Sequence, residues 1–177
     1  MLGTLITSKT RIKLLLKFFL NSNNTAYLRS LEPEFGESTN AIRQELNRFE
    51  EANLLVSLNE GNKKMYKANT NHPLFPEINA LLMKHIGLDK VIEKVVNKLG
   101  QLEEVYLVGE LAKGKNSQMI DLWFVGHNID KKYLLDLIEK AEKMIHRKIR
   151  YIILNHDELK EFLKANGKNE LLLLWKS

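Results

Sequence analysis

Over the first twenty positions apolar residues recur at helical spacing. Ile12, Leu15, Leu16 and Phe19 share one face, behind a Ser8 able to cap a helix running to about Leu20. The polar run Asn21, Ser22, Asn23, Asn24 breaks that pattern. A short helix is expected over Ala26–Leu31, ended by Pro33, with Gly36 in the turn beyond. Ser38 or Thr39 can cap a third helix reaching about Ala52. Its Ile42, Leu46 and Phe49 make one apolar stripe, while Asn40, Arg43, Gln44 and Asn47 fall together on the opposite face. Val56–Leu58 and Met65–Ala68 then predict two short strands. They are joined by Glu60, Gly61, Asn62, Lys63 and Lys64, a hairpin with a Gly-Asn turn and the two lysines at its tip.

The second half changes rhythm. Helices are expected over Phe75–Ile86 and Leu88–Leu99, then strands over Glu104–Val108 and Ile120–Val125. A helix over Lys132–His146, a strand over Lys148–Leu154 and a helix over Asp157–Ala165 complete the alternation. Such an order predicts helices laid over a short mixed sheet. The expected class is therefore α+β in two domains, residues 1–86 and 87–177.

Composition narrows the function only in part. The chain of 177 residues contains no cysteine, which excludes disulfides, thiolate metal sites and a cysteine nucleophile, and fits a cytoplasmic setting. The apolar runs are too short to cross a bilayer, and Lys9, Arg11, Lys13 and Lys17 interrupt the place where a leader's apolar core would be. A net charge of +5 favours an anionic partner mildly, and because neither half is a basic tail, position has to carry the argument.

Position points first to duplex DNA. Arginine, glutamine and asparagine are the side chains that make paired contacts to guanine and adenine edges in the major groove. Ser38 and Thr39 would offer hydroxyls and helix N-terminal amides to phosphate, and Lys63 and Lys64 would add charge from the hairpin. Three helices followed by a basic-tipped hairpin is the order of a winged helix-turn-helix. The stretch from Thr10 to Gly87 resembles the winged-helix domain of ArsR-like transcription regulators. The string Asn71, His72, Pro73, Leu74, Phe75, Pro76, Glu77, Ile78, Asn79, Ala80, Leu81 resembles the connector that joins such a domain to a nucleotidyltransferase-like one. That resemblance implies sequence-specific DNA binding as a homodimer; the first helix and Phe75–Ile86 are the expected dimer contacts.

Val108–Gly126 resembles the active-site signature of a nucleotidyltransferase, whose pattern is Gly-Ser, a second glycine, then Asp-x-Asp on the next strand. Gly109 and Gly114 keep the loop, Glu110 stands in place of the serine, Met119 in place of the first aspartate, and Asp121 remains. Two aspartates at i and i+2 of a strand share a face and can clamp catalytic metals; a thioether offers magnesium nothing useful. The later strand, Lys148–Ile152, supplies no third carboxylate. From these residues the expectation is a non-enzyme, with Gly109, Glu110, Gly114 and Asp121 as a remnant nucleotide pocket. No metal or cofactor is expected, and the domain would serve assembly or sensing of an unspecified effector. The alternative is a nucleotidyltransferase, or a nucleotide-binding protein, with an altered metal site. The histidines at 72, 85, 127, 146 and 156 show no metal-ligand spacing and are expected to be structural or solvated.

Overall fold

The computed structural model describes residues 2–96, 99, 101–166 and 171–177. The chain divides into two compact units, Met1–His85 and Ile86–Ser177, each of mixed α and β structure around its own small sheet. Among the described residues no helix is long and apolar enough to cross a membrane.

The first unit opens with α1 (Leu2–Leu5), absent from the sequence expectation, whose Leu2 is fully buried. Helix α2 (Lys9–Leu15) starts where expected, the Ser8 hydroxyl accepting from the Arg11 amide at 3.2 Å. It then widens into a π-turn, Leu16–Leu20, in which all five side chains are buried. The wider turn rotates the apolar stripe. Phe18 and Leu20 join the core there, as Leu14 does in the preceding turn, and Ile12 is left half-buried. Lys17 tolerates burial because its ammonium meets both oxygens of Glu34, at 2.9 and 3.0 Å. The carbonyls of Phe19 and Leu20, orphaned at the end of the turn, accept from the Asn79 amide at 2.7 and 3.2 Å.

The second helix departs from expectation. Ala26–Tyr27 is a short strand (β1), and α3 (Leu28–Phe35) runs through Pro33 to end at left-handed Gly36. Leu31 and Phe35, four residues apart, are both buried. Each such side chain is worth about 1.5–3 kcal/mol on burial, enough to offset the hydrogen bond that Pro33 cannot donate. Helix α4 (Thr39–Glu51) is capped by Ser38, whose hydroxyl accepts from the Ala41 amide, and buries Ile42, Leu46 and Phe49 as the stripe predicts.

Strands β2 (Leu55–Glu60) and β3 (Lys63–Ala68) pair antiparallel, and β1 adds to β3 to give the order β1-β3-β2. Glu60 pairs with Lys63, so the turn is only Gly61–Asn62. Lys63 and Lys64 thus belong to a strand, not to the loop. A two-residue Gly-Asn turn with Gly61 at φ 60° is the turn expected, and it matches the twist of the strands it joins. Helix α5 (Phe75–Ile86) closes the unit.

In the second unit α6 (Leu88–Val96) is followed by β4 (Gln101–Val108), a one-turn α7 (Gly109–Ala112) and β5 (Met119–His127). Then come α8 (Lys131–Ile145), β6 (Lys148–Leu154), α9 (His156–Asn166) and β7 (Leu172–Lys176). Residues 97 and 98 of the helix expected over Leu88–Leu99 lie outside the described residues. The sheet order is β6-β5-β4-β7, with β5 and β6 parallel and the other pairs antiparallel, the mixed sheet expected. Strand β7 and helix α7 were not anticipated.

Along β5 Ile120, Leu122 and Phe124 are buried, while Met119, Asp121 and Trp123 alternate onto the other face. Leu159 of α9 covers one end of that face at Val125, with Trp123 and Leu163 packed beside it. Gly126 is required where β4 bulges. A Cβ there would lie 2.2 Å from the Gln101 carbonyl oxygen.

Candidate functional site

Helix α4 holds its outer face by what it buries beneath. Glu45, on the inner side, is nearly inaccessible, and Arg11 grips it through Nε and Nη2 at 2.9 and 3.2 Å. The Ser8 hydroxyl donates at 3.1 Å and Arg48 at 3.2 Å. Burial pushes the Glu45 carboxyl up, but hydrogen bonding and charge from Arg11, with Ser8 and Arg48, hold it below its ordinary value. With the inner side fixed to α2, the outer side presents Asn40, Arg43, Gln44 and Asn47, all exposed. Ser38 is exposed as well. Thr39 is half-buried and donates to Glu32 at 2.7 Å, which occupies the hydroxyl expected to meet phosphate.

Beside this face runs an open groove of about 970 Å³, lined by Arg43, Leu46 and Asn47 of α4, by Tyr27, Leu28 and Arg29, and by the hairpin residues Glu60, Asn62, Lys63, Lys64 and Tyr66. Four cations face one carboxylate there. The two lysines differ. The Lys63 ammonium lies 4.5 Å from the centre of the Tyr27 ring. Lys64 is bound to Glu50 at 2.6 Å and lies over Tyr66 at 5.2 Å. Sequence reasoning missed Tyr27, Arg29 and Asn62, because only the folding of the hairpin against α3 and α4 brings them beside Arg43.

In the second unit Asp121 faces Val108 across one strand gap and Arg150 across the other. Its carboxylate accepts from Arg150 Nε at 2.6 Å. Gly109, at φ 71°, lies directly under it: a Cβ at that position would come 2.5 Å from Asp121 Oδ2. These three residues line a shallow pocket of about 650 Å³ with Trp123, Tyr151 and Ile152. Arg150 therefore faces Asp121 from the strand that supplies the third carboxylate in the resembled family. Its positive charge meets the Asp121 carboxylate directly. Glu110 faces Lys115 at 2.9 Å, and Gly114, at φ 78°, closes the loop. Among the described residues no three His, Asp or Glu side chains are grouped to hold a metal ion.

Two of the histidines do converge, contrary to their scattered spacing. His127 Nδ1 lies 2.9 Å from one oxygen of Glu103, and His156 Nε2 contacts the other, which lowers the Glu103 carboxyl from its ordinary value. Next to it, burial and then the Glu104 carboxylate push the Tyr106 hydroxyl up to about 12.

No protein-family model matches the sequence, and no curated protein is significantly similar to it. Solved structures do match. One is a candidate nucleotidyltransferase from Sulfolobus solfataricus, 22% identical, with 56% of this chain aligned to 86% of that one at a TM-score of 0.38. Another is a toxin–antitoxin crystallised with AMP-PNP, 16% identical over 50% of this chain and 73% of its own, at 0.40. A third, a mutant of the toxin–antitoxin MntA–HpeT, is 14% identical over 50% and 72%, also at 0.40. With an enzyme class among what the chain resembles, the expectation of a non-enzyme is corrected and no longer stands.

Proposed function

We propose that residues 1–86 form a winged helix-turn-helix that binds duplex DNA, and that the chain is a transcription regulator of ArsR-like type. Residues 87–177 would supply a nucleotidyltransferase-like domain for assembly or for sensing an effector. The observation that supports this best is the outer face of α4. Asn40, Arg43, Gln44 and Asn47 are exposed together beside a groove whose Arg29 and Lys63 form no ion pair among the described residues, while the opposite stripe is buried. Amide and guanidinium groups on a helix read base edges, and flanking cations hold phosphates. A homodimer would double the few base pairs that one such unit reads, and the work would be cytoplasmic.

Affinity for random duplex DNA, measured against salt, tests the reading. Phosphate contacts require a steep fall as salt rises; a flat line overturns the proposal. On an operator selected from genomic DNA, Arg43→Ala should lose about 1–3 kcal/mol of discrimination if that side chain reads a guanine.

A second reading is favoured by Gly109 and Asp121, which pack closely and line one pocket: a nucleotidyltransferase, or a nucleotide-binding protein, with an altered metal site. Calorimetry with magnesium and each nucleoside triphosphate tests it, since a working transferase must bind one of them. Silence with all of them would dismiss this reading.

A further inference from the structure

Lys64 lines the groove beside α4, yet its charge is already engaged. Its ammonium meets Glu50 Oε2 at 2.6 Å, and the Ser57 hydroxyl donates to Oε1 at 2.5 Å, so both oxygens of Glu50 have a donor. Glu50 lies in the last turn of α4, three residues beyond Asn47. The hydrogen bond from Lys64, then that from Ser57, holds the Glu50 carboxyl below its ordinary value, and the same contact raises Lys64. Arg29, Arg43 and Lys63 line the same groove and form no ion pair among the described residues.

Resting on the DNA-binding reading, we propose that Glu50 is an internal counter-ion that competes with phosphate for Lys64. In this arrangement Arg29 and Lys63 grip the DNA backbone, and Glu50 caps the affinity of the groove. A carboxylate fixed beside Lys64 both neutralises the cation and repels an approaching phosphate. It also ties β2 and β3 to α4 and so positions the hairpin. Glu50 is thus a positioning residue that does not itself touch DNA.

The test is the slope of log affinity against log salt for random duplex DNA, which changes by about 0.9 for each phosphate neutralised. Wild type, Glu50→Gln, Lys64→Ala, Arg29→Ala and the double variant Glu50→Gln/Lys64→Ala are compared, and thermal melts establish that each is folded. Glu50→Gln should steepen the slope by about one phosphate and tighten binding at low salt. Lys64→Ala alone should leave the slope where it is, the double variant should return to it, and Arg29→Ala should flatten it. If Lys64→Ala flattens the wild-type slope and Glu50→Gln leaves it unchanged, Lys64 already holds a phosphate and the inference fails while the DNA reading stands. If wild type shows no salt-dependent binding, both fall.

Discussion

Replacing Glu45 by alanine should loosen the helix that carries the proposed interface without touching the interface itself. The carboxylate is almost inaccessible and receives two hydrogen bonds from Arg11, one from Ser8 and one from Arg48. Breaking a fully buried pair by removing one partner costs about 3–5 kcal/mol. Here the cations are less enclosed, since the Arg11 side chain is 38% exposed and that of Arg48 60%, so both recover water once the anion is gone. The loss should therefore be about 2–3 kcal/mol, below the range for a sealed pair. For a unit of this size each kcal/mol shifts Tm by about 4–8 °C, which gives a drop of roughly 8–24 °C. Urea and thermal unfolding followed by circular dichroism would measure it, with Arg48→Ala as the exposed control, expected to cost less than about 1 kcal/mol. A Glu45→Ala loss under about 0.5 kcal/mol, the range of an ordinary surface change, would refute the reasoning. It would mean that apolar packing alone holds α4 against α2.

The same group sets a pH dependence. The Glu45 carboxyl lies below its ordinary value of 4.5 in the folded chain, so its contribution is complete above that value and is lost as pH falls through the lower folded one. The gap in stability between wild type and Glu45→Ala should therefore close on acidification, and a gap that widened below pH 4.5 would contradict the assignment. Gly126→Ala should cost about 1–3 kcal/mol through the overlap of its methyl with the Gln101 carbonyl, and unchanged urea unfolding would mean that the bulge gives way freely. Ser38→Ala should cost about 1 kcal/mol by removing the cap of α4, a loss that a serine-to-threonine change at the same site should largely avoid.

Some of this was legible in the residues alone. Lys148–Leu154 is a strand over its whole expected length, because its β-branched and aromatic residues, Ile149, Tyr151, Ile152 and Ile153, favour extended backbone. Helix α4 follows its cap and stripe. The π-turn did not show, since an apolar run interrupted only by Lys17 fits ordinary helical spacing, and it is burial of that lysine against Glu34 that marks the wider turn. Pro33 misled because the gain from burying Leu31 and Phe35 depends on a core the local sequence does not display. At the sites, residue types were readable but partners were not. The exposure of Asn40, Arg43, Gln44 and Asn47 follows from one helix's periodicity. The pairings of Lys64 with Glu50 and of Arg150 with Asp121 depend on how separate elements meet, which no local pattern encodes.

Asp121 and Arg150 are 29 positions apart, on neighbouring strands that run the same way with α8 between them. No local turn can bring them together. The intervening chain must close a long loop and lay its helix on the sheet first, at the entropic cost such closure carries. The Arg150–Asp121 contact therefore exists only where β6 has been laid beside β5, and its presence reports that the strand–helix–strand arch around it is complete.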